Sequence, residues 1–331
     1  MDLQVNKIPK VEMHLHIEGA IPRNTYIELR RKREPSYSLD QSPWHDDNYR
    51  FDSLDHFLNT ASPSVTQTAE DYRRIATDLF QNLIDQNIIY TEITVASHRV
   101  PYYEIAQAIH NAWEETVPDA RLTFGILVGL FRSDNPETAV EMVKQGIRAS
   151  KFGVVGVDLL AHETIQPASV FKEAFNIAKE AGLGLRSHAG EGAGSESMWD
   201  AIRSLGVSRI AHGTRAVEDR DLIKYLIDNN ITLDMCPTSN YKLRVVRTIE
   251  EHPIRQFFDS GVKVTVSSDD PLFFNSDITN ELVRLHKFFN FKTVELLQLS
   301  QNAIDSAFLP QNKKNKFHQI LVEKYNQLMQ S

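Results

Sequence analysis

Eight short apolar runs rich in β-branched residues alternate with amphipathic stretches, and that alternation limits the fold more than any other feature of the chain. The runs fall at 10–16 (KVEMHLH), 88–95 (IIYTEITV), 122–130, 153–159, 183–188, 208–212, 231–235 and 262–268. Between them, stretches such as 137–150, 168–181, 196–205 and 218–229 carry apolar residues at helical spacing. Strand and helix alternating eight times predict an α/β fold, a closed (β/α)8 TIM barrel. The alternative, an open doubly wound sheet, ordinarily begins with a glycine-rich phosphate turn, and no G-x-G-x-x-G follows the first strand. The chain is expected to form one barrel domain over 1–331. Residues 20–87 are too many for one crossover. Their apolar positions (Ile27, Leu29, Phe51, Leu54, Phe57, Leu58, Ile75, Leu79, Leu83) predict a helical insertion over the mouth, with 34–50 as a polar loop. The segment 293–330 is predicted to be mostly helical.

In such a barrel, catalytic groups stand at the C-terminal ends of the strands. The first predicted strand ends in His14 and His16, which share one face because side chains alternate along a strand. The fifth ends in His188, followed by Glu191; the sixth ends in His212; the eighth runs into Asp269 and Asp270. Taken singly, each has an ordinary explanation: a buried hydrogen-bonded histidine, a surface turn, or a helix-capping aspartate before Pro271. Together they gather at one end of the barrel. Three histidines and an aspartate suit zinc and also accept other first-row divalent ions. Bound zinc lowers the pKa of a coordinated water to about 7, so the set predicts a hydrolase. Glu191 is positioned to supply a proton and His212 to orient the attacking water. His162, just past the fourth strand, is a candidate to line the mouth. The remaining histidines, His98 and His252 among them, read as structural or solvated.

The formal net charge of -8 argues against a nucleic-acid or anionic-membrane partner. One cysteine, Cys236, cannot form an internal disulfide, and no apolar run has signal-peptide or membrane-spanning character. These observations lead to the expectation of a cytoplasmic enzyme acting on a small molecule. Oligomeric state is not encoded in any readable pattern.

The motifs MHLHIEG, VVGVDLLAHET, SHAGEG, RIAHGT, CPTSN and SSDDP, in this order over essentially the whole chain, resemble the adenosine deaminase family of metal-dependent amidohydrolases. The resemblance implies one zinc per chain held by His14, His16, His188 and Asp269. It implies that Glu191 protonates N1 of a 6-aminopurine, that His212 steers the attack on C6, and that Asp270 holds N7. Substrate contacts are further implied at His16, at Glu18, where adenosine-specific members commonly carry aspartate facing the ribose, and at Ala161. The last stands in an Ala161-His162 pair where Gly-Asp is usual for a backbone contact to N3. The reaction expected first is conversion of adenosine or 2′-deoxyadenosine to the inosine product and ammonia; adenine or aminodeoxyfutalosine deamination is the alternative. A two-metal phosphoester or lactone hydrolase on the same barrel would need a bridging lysine after the fourth strand, where the chain reads Asp158-Leu-Leu-Ala-His162. A catalytically silent binding relative would lack a ligand or Glu191. Cytidine-type zinc deaminases need two cysteine ligands and are excluded by the single Cys236.

Overall fold

The computed structural model describes residues 5–61 and 65–330, with side chains through 327. Among the described residues, eight parallel strands pair in sequence order: β1 Lys10–His16, β2 Ile88–Val95, β3 Thr123–Phe131, β4 Val154–Leu160, β5 Gly184–Ala189, β6 Arg209–His212, β7 Thr232–Met235 and β8 Val264–Val266. An isolated bridge between Leu15 and Asp269 brings the last strand's end against the first, giving a nearly closed (β/α)8 barrel. At that seam the amides of His16 and Asp269 donate to the carbonyls of Asp269 and His14 at 3.1 and 3.0 Å. β8 is shorter than the predicted 262–268. Ser267 Oγ, rather than a backbone carbonyl, accepts from the amides of Met13 and His14 there, and Asp269 has a left-handed backbone.

Three helices separate β1 from β2: α1 Arg23–Arg31, α2 Leu54–Thr60 and α3 Ala69–Asp85. α3 starts where Thr68 and Asp71 cap each other reciprocally, which satisfies amides left open by the first turn. Within the loop expected at 34–50, the chain makes two short 3-10 turns that bury Trp44 between Tyr26 and Phe273, with ring centroids at 5.4 and 5.2 Å. This polar stretch therefore contains an apolar anchor that fixes α1 to the rim.

The crossovers continue with α4 Tyr102–Thr116, α5 Pro136–Arg148, α6 Lys172–Glu180, α7 Ser195–Asp200, α8 Arg220–Asp228, α9 Pro237–Lys242 and α10 Ile254–Ser260. After β8 come α11 Pro271–Phe274, α12 Ile278–Phe289, α13 Thr293–Ser306 and α14 Gln311–Gln330. Asn135, Asp219 and Asp277 cap α5, α8 and α12 through their side-chain oxygens. The helix predicted at 196–205 begins as α7 and changes to a wider turn over Ala201–Leu205.

The barrel end opposite the site is closed by Phe308, between α13 and α14. Its ring lies 4.6 Å from the Arg209 guanidinium, and its amide donates to Glu92 at 2.7 Å. A Cβ on Gly184 would fall 2.0 Å from that ring, so the approach requires glycine. The barrel interior is built from charge as well as aliphatic packing. Buried Arg209 pairs with Asp234 and Glu92, and buried Arg186 reaches Asp158 at 2.7 Å, Thr94 at 2.6 Å and the Met13 carbonyl at 2.5 Å. Each pair is closed by several hydrogen bonds, as ions removed from water must be.

Candidate metal centre and active site

The C-terminal ends of β1, β5, β6 and β8 meet over one cavity of about 370 Å³, within the usual range for small-molecule sites. His14 and His16 arrive from β1 on the same face. His14 Nε2 lies 3.1 Å from His16 Nε2, 3.0 Å from His188 Nε2 and 3.3 Å from Asp269 Oδ1. His16 Nε2 is 3.4 Å from the same Asp269 oxygen. Tetrahedral zinc with Zn–N bonds of about 2.0–2.1 Å requires ligand atoms about 3.3–3.4 Å apart, close to these separations. The far sides of the rings are held. His188 Nδ1 faces Asp158 Oδ1 at 3.2 Å, and His14 Nδ1 faces Cys236 Sγ at 3.4 Å. Burial opposes the charge on Asp158, but Arg186 and His188 outweigh it and hold the carboxyl well below its usual range. An anionic Asp158 accepts a hydrogen bond from Nδ1–H of His188, leaving the Nε2 lone pair turned to the common centre. Four donor groups drawn together, two of their rings anchored from behind, fit a divalent cation.

His212 and Asp269 occupy left-handed backbone conformations, with φ of 64° and 65°, at the ends of their strands. Such a conformation costs a non-glycine residue about 1–2 kcal/mol, and here it turns both side chains from the ladder into the mouth. His212 Nε2 lies 3.4 Å from Glu191 Oε1 and 3.9 Å from Asp269 Oδ2. Glu191 is held from behind. Its own amide and that of Gly192 donate to the two oxygens of Glu163, each at 3.0 Å. Burial first, then Asp269 and Glu163, push the Glu191 carboxyl well above its ordinary value, which favours the protonated acid. Burial and the neighbouring Asp269 push Asp270 up as well. Gly19 is required beside it, since a Cβ there would lie 1.7 Å from Asp270 Oδ1.

Glu18, Asp270 and Ala161 all line the cavity. Ala161 is in the left-handed region at φ 76°, the conformation a glycine would enter without strain. Glu18 Oε1 accepts from the Tyr72 hydroxyl and the Ala96 amide, each at 3.2 Å. Burial raises its pKa to about 7, with those hydrogen bonds opposing the shift. His162 turns away to Thr164 Oγ1 at 2.8 Å and is not among the lining residues, because the left-handed Ala161 redirects the chain. His98, read as structural or solvated, lines the cavity and pairs with Asp134 at 2.9 Å. Tyr72, Asp158, Glu163 and Asn240 were also not singled out by sequence. Asp158 and Glu163 do fall inside the VVGVDLLAHET motif and Asn240 inside CPTSN, which was the available signal. Asp158, which opens the lysine-free stretch 158–162 at the end of the fourth strand, is engaged by Arg186 and His188.

The family model described as adenosine deaminase matches residues 9–324. A protein named adenine deaminase from Rhizobium leguminosarum is 34% identical over 93% of this chain and 97% of its own length. Another so named, from Crocosphaera subtropica, is 29% identical over 96% of this chain and 99% of its own. The crystal structure of adenine deaminase from Arthrobacter aurescens superimposes with a TM-score of 0.87 at 26% identity, covering 98% of this chain and 100% of that one. An amidohydrolase from Burkholderia ambifaria, solved with bound zinc, shares the fold with a TM-score of 0.89 at 22% identity, covering 98% of this chain and 93% of that one.

Proposed function

Because the chain belongs to the adenosine deaminase family and is a hydrolytic deaminase acting on a purine C–N bond, we propose that it converts adenine to hypoxanthine and ammonia with one zinc per chain. The observation that carries the reading is the convergence of His14, His16, His188 and Asp269 beside Glu191 and His212. Zinc held by the first four would supply Lewis-acid activation of water at neutral pH. All else falls to the side chains. Addition of water to C6 puts charge on the ring unless N1 gains a proton as the bond forms. The upward shift of the Glu191 pKa, from burial and the neighbouring Asp269 and Glu163, favours the protonated form that can supply it. His212 faces the same position and orients the attack. In the 9H form of adenine N7 carries a lone pair and accepts, so an Asp270 whose raised pKa favours the protonated acid is the matching donor. The Glu191 carboxylate left by proton transfer to N1 can accept a proton from the added water and pass it to the exocyclic nitrogen, so that ammonia leaves, the water's other proton restores the acid, and the 6-oxopurine remains.

Adenine is favoured over adenosine, the substrate expected first, on two grounds. Several relatives at 29–34% identity carry the name adenine deaminase. In addition, Glu18 extends one methylene further than aspartate and is fastened by Tyr72 and Ala96 at the wall implied for the ribose. The contribution of Leu58, His98 and Arg99 to the cavity supports a larger substrate as the second reading, namely adenosine, 2′-deoxyadenosine or a 5′-modified adenine nucleoside. The test is ammonia release from adenine and from each nucleoside by the zinc-loaded protein. The proposal expects kcat/KM for adenine to exceed that for adenosine at least about 100-fold, the scale on which a one-methylene difference in a pocket wall discriminates. Equal or reversed values would refute it.

A further inference from the structure

A buried hydrogen-bond chain behind His212 has a polarity that can be followed from a backbone amide whose proton is not in question. The N–H of Ile254 points at His252 Nδ1 at 3.3 Å, so that nitrogen accepts. Burial pushes the His252 pKa down to about 3, leaving one ring proton, on Nε2. Nε2 lies 3.0 Å from Asn240 Oδ1, which also accepts from Thr214 Oγ1 at 3.1 Å. The amide must therefore present its oxygen to His252 and its NH2 group to the other side. There Nδ2 meets His212 Nδ1 at 3.2 Å and Glu191 Oε1 at 3.4 Å. A donor facing His212 Nδ1 excludes a second donor on that nitrogen, so the ring can carry its proton only on Nε2. All of these groups are buried, where a donor opposed to a donor is costly.

We propose that Asn240 and His252 are positioning residues that fix His212 as its Nε2–H tautomer, so that it donates toward the water attacking C6 instead of accepting from it. Neither residue lines the cavity, and each acts through the next. The kinetic part of this inference rests on the deamination proposed above; the tautomer does not. A protein with the opposite tautomer would present a lone pair to the attacking water, and its nearest polar neighbour, Glu191, would lose a donor.

The experiment is multiple-bond 1H–15N spectroscopy of zinc-loaded protein carrying 15N-labelled histidine, with His212 assigned by the loss of its signals in His212→Asn. The expected spectrum has a protonated Nε2 and a bare Nδ1 at His212. Asn240→Asp leaves only acceptors beside Nδ1 and is expected to move the proton there. With it, kcat should fall about 10²- to 10⁴-fold while KM stays within about threefold and zinc content is kept. His252→Gln restores an N–H near the lost Nε2 and should keep the wild-type tautomer and kcat within about tenfold, whereas His252→Phe should lose both. A wild-type His212 protonated on Nδ1 overturns the inference. So does Asn240→Asp with an unchanged tautomer and turnover. If no purine is deaminated, the functional reading fails, and the tautomer spectrum still decides this inference by itself.

Discussion

At the scale of single residues, the site separates two acids by their surroundings. Burial, then Asp269 and Glu163, push the Glu191 carboxyl up, which suits it to the proposed part of proton donor. Replacing it with glutamine keeps the shape and removes the transferable proton. Glu191→Gln should therefore bind the metal normally and lose about 10²- to 10⁴-fold in kcat, checked by metal analysis alongside ammonia release. Glu18 is expected to act in substrate selection and not in proton transfer. Glu18→Asp withdraws the carboxylate from Tyr72 and Ala96 and opens space at the wall. The ratio of kcat/KM for adenosine to that for adenine should rise at least about tenfold, since one methylene at a binding wall is worth about 1–3 kcal/mol. A ratio unchanged by the substitution would remove Glu18 as the selector.

At the scale of elements, the strands do two separate tasks: their ends present the site, and their interiors hold it rigid. Asp158 joins them, linking Arg186 of the interior to His188 of the site. Asp158→Asn should weaken metal binding about 10- to 100-fold, as outer partners of ligating histidines do, measured by competition with a chelator. Gly184→Ala would drive a methyl into Phe308 and should lower stability by about 1–3 kcal/mol, read from urea unfolding, with the metal still bound. The strand ends were readable in advance because side-chain alternation puts His14 and His16 on one face, and polar residues terminate apolar runs at His188, His212 and Asp269. Within the strands, Glu92, Arg186 and Arg209 gave no such signal. Their partners lie on other strands, and one chain does not declare which charges will meet. Tyr72 was beyond reach for the same reason: it comes from α3, and only tertiary packing brings it to Glu18. His162 and His98 show the limit of reading loops: His162 follows a left-handed residue, Ala161, and does not line the cavity, whereas His98, in the loop after β2, does.

At the scale of the whole molecule, the barrel is drawn together by the site itself. The bridge closes β8 on β1 through the backbones of Asp269, a proposed ligand, and Leu15, which lies between two others, His14 and His16. Metal binding should therefore be linked to folding: at free zinc 100-fold above its Kd, the stabilisation is about 2.7 kcal/mol, and a chelator should lower Tm reversibly. No helix among the described residues is long and apolar enough to cross a membrane. The most direct test of the central claim is a titration of the chelated protein with zinc while conversion of adenine to hypoxanthine is followed. The account predicts that turnover rises linearly and stops rising at one zinc per chain, and that Glu191→Gln takes up the same single equivalent without turnover. Activity that needs two equivalents, or that persists in the chelated protein, would contradict it.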